Sequence, residues 1–247
     1  MAVSTSVIPS NSGALCMKAR QERGDITRRK IVLAAVELGA RLGFSNMPLR
    51  EVVALSESRN ISAIHYHFKG KEGLLRETVA TIDRAWPSDL PDVDSGNIQG
   101  LLCQFLLNLE RLKQSEAWQA DVVRFIARLC MEDAKGPQMA AAALLAPRLW
   151  KVSEAIELMY PAIPSGVLRQ RVGIACLLLL TIASNLDHVC MAALNCEDVQ
   201  TDLVQRYSYA VTMAASVIMA DCPSSPDTEI PALLLTFSNS VTALASD

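Results

Sequence analysis

At 247 residues the chain is long enough for one large domain or two small ones, and with 51% hydrophobic but only 5% aromatic residues it suits a globular protein built on Leu- and Ala-rich helices. A net charge of −3 excludes a chain that is basic throughout, yet the charge is uneven: Lys18 to Arg84 carry 13 basic against 8 acidic residues, the remainder 10 against 18. A basic amino-terminal third on an acidic body is the asymmetry of a two-part DNA-binding regulator, or a chance imbalance of a few charges.

Residues 1–24 are rich in Ser, Gly and Asn without a periodic apolar face, and are expected to form a disordered arm. Met17 opens a basic segment, either a flexible arm on the DNA backbone or the true start of translation. Asp25 or Thr27 can cap a first helix to about Leu42, with Ile31, Ala34, Ala35, Leu38 and Leu42 as its buried stripe and Gly43 as its left-handed cap. Pro48 stands where a second helix starts, and Leu49, Val52, Val53 and Leu55 face the core. Ser56 to Arg59 form a short turn, and Asn60 or Ser62 caps a third helix. Ile61, Ile64 and Phe68 share one face of it, with Ser62, Ala63, Tyr66 and His67 opposite and His65 at the edge. Small residues let a backbone approach base edges, while hydroxyl and imidazole groups reach bases and phosphates. The His65 and His67 spacing of two does not converge on a metal, so no metal site is expected. Gly70 ends this helix, and Lys71 to Ala85 form a fourth with Leu74, Leu75, Val79 and Ile82 inside, ended by Trp86-Pro87.

Two short helices across a tight turn make a helix-turn-helix. Residues 27–84 resemble the DNA-binding domain of the TetR family of bacterial regulators. The resemblance lies in Gly43-Phe44, Ile64-His65-Tyr66-His67-Phe68 and Lys71-Glu72-Gly73-Leu74-Leu75, with Arg59-Asn60 leading into the third helix as in a subgroup with one extra turn residue. Two positions depart from the pattern: Glu57 stands where the turn usually has Gly, and His65 where Tyr is usual. The resemblance implies a homodimer that presents the helix around Ser62 to His67 to successive major grooves of a near-palindromic operator in double-stranded DNA. A small molecule in the carboxy-terminal domain would release it. Arg59, Asn60, Ser62 and Ala63 are then expected at base edges, with His65 at one further contact; Tyr66, His67 and Lys71 are expected at phosphates.

Past a Pro- and Asp-rich loop, five helices are expected over residues 97–114, 117–135, 137–160, 165–195 and 198–221, then a Pro/Ser linker and a short last helix over 232–245. The expected organisation is an arm over 1–24, a DNA-binding domain over 25–86, a ligand-binding and dimerisation domain over 95–221, and a linker and tail over 222–247. Strand signals are weak, so the fold class is all-α. Val172, Ala175, Leu179, Ile182 and Leu186 recur at helical spacing and are expected at a dimer seam. The apolar run Val172 to Leu186, interrupted by Gly173, Thr181, Ser184 and Asn185, is too short to span a bilayer and reads as a buried helix. Asp187 and His188 within an apolar helix either line a cavity or sit at the solvent edge or the seam; Arg124, Arg128, Arg148 and Arg171 are candidates for an acidic ligand. The Leu, Ala and Met of the body suit an apolar or amphipathic effector, or simply a core.

Seven scattered cysteines without a Cys-x-x-Cys pair read as reduced thiols in a cytoplasmic protein. No signal peptide is expected, nor a cofactor. No nucleophile elbow, phosphate loop or paired-carboxylate motif is present, so an enzyme is not expected. A ligand-responsive repressor is the leading reading; an all-helical ligand-binding or scaffolding protein without specific DNA binding is the alternative.

Overall fold

Residues 12–58, 61–87, 96–115, 118, 121–185 and 203–220 are described in a computed structural model of the chain, 12–20 and 203 as backbone alone. Among them are nine helices and no strand: α1 Ser12–Leu42, α2 Leu49–Leu55, α3 Ser62–Phe68, α4 Lys71–Ala85, α5 Ile98–Gln114, α6 Asp121–Met131, α7 Lys135–Met159, α8 Ser165–Ala183 and α9 Leu203–Met219. The protein is all-α.

The first helix reaches further back than the expected start at Asp25 or Thr27, and its beginning lies within the arm expected to be disordered. The reason is local. Ala14, Leu15, Met17, Lys18, Ala19, Arg20, Gln21 and Glu22 are strong helix formers. Thr27 is no cap, because its hydroxyl donates back to the Arg23 carbonyl at 2.9 Å inside a continuing helix. Gly43, at φ 80°, ends α1 with its N–H on the Gly39 carbonyl.

Ile31, Ala34, Ala35, Leu38, Val52, Val53, Ile64, Phe68, Leu74, Leu75 and Ile82 are buried, so the first four helices close over one apolar centre. Leu42, Leu55 and Ile61, expected inside, are exposed: each stands at or just outside a helix end, where the buried stripe runs out. The head is joined to the body along α1 and α6 and along α4 and α7. In the first joint Gly39 admits the Phe125 ring, which would lie 2.5 Å from any Cβ at that position. In the second, Arg148 stacks 4.3 Å above Trp86 and pairs with Asp83 at 2.7 Å.

In the body, Asn97 caps α5 by accepting the Gly100 N–H at 2.8 Å. The helix expected over 117–135 is shorter, Asp121–Met131. The expected helices over 165–195 and 198–221 appear as α8 and α9, with 186–202 outside the described residues, as is the helix expected over 232–245. The 19 residues of α8, with a mean hydropathy of 1.6 over the window, are long and apolar enough to cross a membrane, contrary to the shorter run read from sequence. Here α8 packs one side against α5, α6, α7 and α9 and leaves Ile174 and Leu177 exposed on the other.

That placement corrects the expected seam. Val172, Ala175, Leu179 and Ile182 are buried within the protomer, and Leu186 lies outside the described residues. Periodicity could not choose a face because from Val172 onward α8 is apolar both on its buried side and on the exposed side that carries Ile174 and Leu177.

Candidate nucleic-acid interface and effector cavity

Helix α3 is fixed from behind and offered in front. Ile64 and Phe68 are buried, whereas Ser62 and His65 are exposed and Tyr66 is 80% exposed. Ala63 and His67 are half-buried, and the Tyr66 and His67 rings meet edge-on at 4.9 Å. The helix stops at Lys69, left-handed at φ 61°, whose N–H donates to the His65 carbonyl at 3.1 Å. Gly70, at φ 114°, turns the chain into α4. The return is tight: a Cβ on Gly73 would lie 1.6 Å from the Phe68 carbonyl oxygen. The start of α4 is therefore seated directly on the end of α3. Gly24 of α1 runs alongside, with His67 Cε1 3.9 Å from where its Cβ would be.

In the turn before α3 a non-glycine residue stands in the left-handed region that favours glycine. Glu57 stands at φ 55° and pairs with Lys30 at 2.5 Å. That hydrogen bond, with the charge of Lys30, holds the Glu57 carboxyl below its usual pKa. Arg59 and Asn60, expected at base edges, lie outside the described residues.

Lys71 differs from expectation. Its ammonium turns inward, donating to the Ser45 and Met47 carbonyls at 2.7 and 3.0 Å, 5.5 Å above the Phe44 ring. Partial burial lowers its pKa and the charge of Glu132 opposes that shift. The opposite side of the same loop belongs to Glu132. Its carboxylate accepts the Ser45 N–H at 2.8 Å, and also the Phe44 N–H and the Ser45 hydroxyl. Sequence reading passed over Glu132, because its partners lie 87 and 88 residues away and no local pattern joins them.

Within the body, Phe105, Cys130, Leu145, Leu149, Gly173, Cys176, Leu177 and Leu180 line a cavity of about 210 Å³ between α5, α6, α7 and α8. Its lining is apolar apart from the two thiols. Burial raises the pKa of Cys130 and pushes that of Cys176 up to about 12, so both are neutral at physiological pH. A wider groove of about 520 Å³ opens between α5 and α9. The arginines proposed for an acidic ligand are mostly engaged. Arg124 donates to the Ser184 carbonyl at 3.3 Å, Arg171 to that of Ile218 at 2.9 Å, and Arg148 joins α4 to α7. Arg128 differs: its Nε is buried without a hydrogen-bond partner among the described residues. Asp187 and His188 lie outside the described residues.

No protein-family model matches the chain, and no curated protein matches it in sequence. Solved structures do share its fold. A transcriptional regulator from Rhodococcus sp. Rha1 aligns with a TM-score of 0.51 at 16% identity, over 81% of this chain and 99% of its own. A mutant of the protein HlyIIR, with one segment replaced by a linker carrying two thrombin sites, aligns with a TM-score of 0.50 at 13% identity, over 80% of this chain and 100% of its own. The chain is similar in fold to transcriptional regulators over most of its length.

Proposed function

We propose that this chain is a DNA-binding transcriptional regulator of TetR type, a cytoplasmic homodimer that represses from a near-palindromic operator and is released by a small apolar effector. The observation that carries the reading is the α3 surface: Ser62, His65 and Tyr66 stand outward on a helix whose Ile64 and Phe68 are sunk in the head. A short rigid helix with small and polar groups outward fits a major groove. Ser62, Ala63 and His65, with Arg59 and Asn60, are assigned to base edges, and Tyr66 and His67 to phosphates. Lys71 is reassigned from phosphate contact to positioning, because two of its three N–H donors go to loop carbonyls.

The homodimer reading moves to other residues of α8 and to α9. Ile174 and Leu177 on α8 and Tyr209 and Met213 on α9 are exposed apolar residues, a face that a second copy would cover. The four-helix cavity is assigned to the effector. It is smaller than the roughly 300–1,000 Å³ of drug-sized sites and its lining carries no charged side chain, so it suits a compact uncharged molecule.

A mobility-shift titration with the DNA flanking the gene tests the reading. A retarded species that survives excess unrelated DNA and disappears with an apolar effector is expected. A chain that shifts no specific fragment is the scaffolding alternative.

A further inference from the structure

We infer that the Glu132 carboxylate is a positioning clamp through which the body cavity is coupled to the α3–α4 unit of the head. For what the head does, the inference rests on the regulator reading above; the mechanical link itself does not depend on DNA.

Cys130, near the end of α6, lines the cavity, and Glu132 follows the last residue of that helix. Anything that displaces the end of α6 displaces this carboxylate. Its two oxygens take two backbone N–H groups and a hydroxyl from Phe44 and Ser45, a set of directional bonds onto the loop between α1 and α2. Gly43 allows the approach: at φ 80° it adopts a left-handed conformation, and a Cβ there would already lie 3.3 Å from the carboxylate. From the other side Lys71 grips the Ser45 and Met47 carbonyls. The loop is thus held by its amides to the body and by its carbonyls to the first residue of α4.

The route continues without a gap. Lys71 begins α4, Gly73 seats α4 on the Phe68 carbonyl, and Phe68 ends α3. The contact of Phe125 with Gly39 and, edge-on at 6.3 Å, with Phe44 runs in parallel. That contact is apolar and tolerates sliding, whereas charge-assisted hydrogen bonds have a fixed reach and direction. Glu132 is therefore the element that makes the loop follow α6.

The test needs no effector. Gly173 lines the cavity, and a Cβ there meets nothing within 4 Å, so Gly173→Met fills the space from within. The full chain, Gly173→Met, Glu132→Ala and the double variant are compared by hydrogen exchange over residues 62–75 and by operator affinity. With Glu132 present, filling the cavity should change exchange over 62–75 and weaken operator binding at least about tenfold, within the usual range of allosteric coupling. With Glu132→Ala both responses should largely vanish. Glu132→Gln keeps one acceptor and should give an intermediate response; it carries the comparison if Glu132→Ala does not fold. Equal responses with and without Glu132, or no exchange response in the chain that retains it, overturn the inference. A clamp-dependent exchange response in a chain that binds no specific DNA leaves the clamp standing and overturns the regulator reading instead.

Discussion

Glu57 shows how one residue can sit badly by its own preference and well by its surroundings. A non-glycine residue at φ 55° is disfavoured because its Cβ crowds the backbone, and the Lys30 pair offsets part of that strain. Glu57→Gly should leave the melting temperature at neutral pH unchanged or raise it; a clear fall would mean the ion pair outweighs the strain. The Glu57 carboxyl is held below its ordinary pKa, so the pair stabilises above the carboxylate range and its contribution is lost as pH falls through the lowered value. The thiols behave oppositely. Cys176 is buried with a pKa of about 12, and at pH 8 only about one thiol in ten thousand is ionised. Iodoacetamide at that pH should modify half-buried Cys103 and Cys130 before Cys176, as peptide mass spectrometry would report. Because the folded pKa is raised, the stabilisation from burying Cys176 is complete below about pH 9 and fades as pH climbs toward 12. The outward residues of α3 were legible because Ile64 and Phe68 recur at helical spacing. The inward turn of Lys71 was not, since its acceptors are carbonyls of a distant loop.

Among the elements, the α3–α4 corner is the most tightly specified. No rearrangement of a flexible side chain can admit a Cβ on Gly73, because the obstacle is the backbone carbonyl of Phe68. Gly73→Ala should force α3 away from α4, keeping the far-ultraviolet helix signal while operator affinity falls at least about tenfold, as small misplacements in recognition geometry do. Retained affinity would show that α3 does not need this seat. Most of the helices were readable from caps and stripes, Asn97 at the start of α5 and Trp86 at the end of α4 among them. The long start of α1 was missed because Ser, Gly and Asn at the terminus masked the run of helix formers behind them. The buried face of α8 was missed for another reason: with apolar residues on both sides, only the neighbouring helices decide which side is inside.

At the scale of the whole molecule the head and body are one packed unit, joined through Phe125 in Gly39's notch, Arg148 on Trp86 and Glu132 on the α1–α2 loop. A dimer of such units would move both α3 helices together and so would couple assembly to the proposed DNA binding. Ile174→Glu combined with Met213→Glu should turn a dimer at micromolar concentration into a monomer by light scattering, with little change in melting of the isolated chain, since both residues are exposed and neither lines the cavity. A dimer unaffected by both charges would place the interface elsewhere. Sequence reading by α3 is the property on which the proposed function turns. Its most direct measurement is a fluorescence-anisotropy titration of the full chain against its operator and against a scrambled duplex of the same length, at one physiological salt concentration. Operator binding should be tighter by about a thousandfold or more, the lower end of specific regulators, and that margin should be lost when Ser62 and His65 are replaced. Equal affinity for the two duplexes would contradict it.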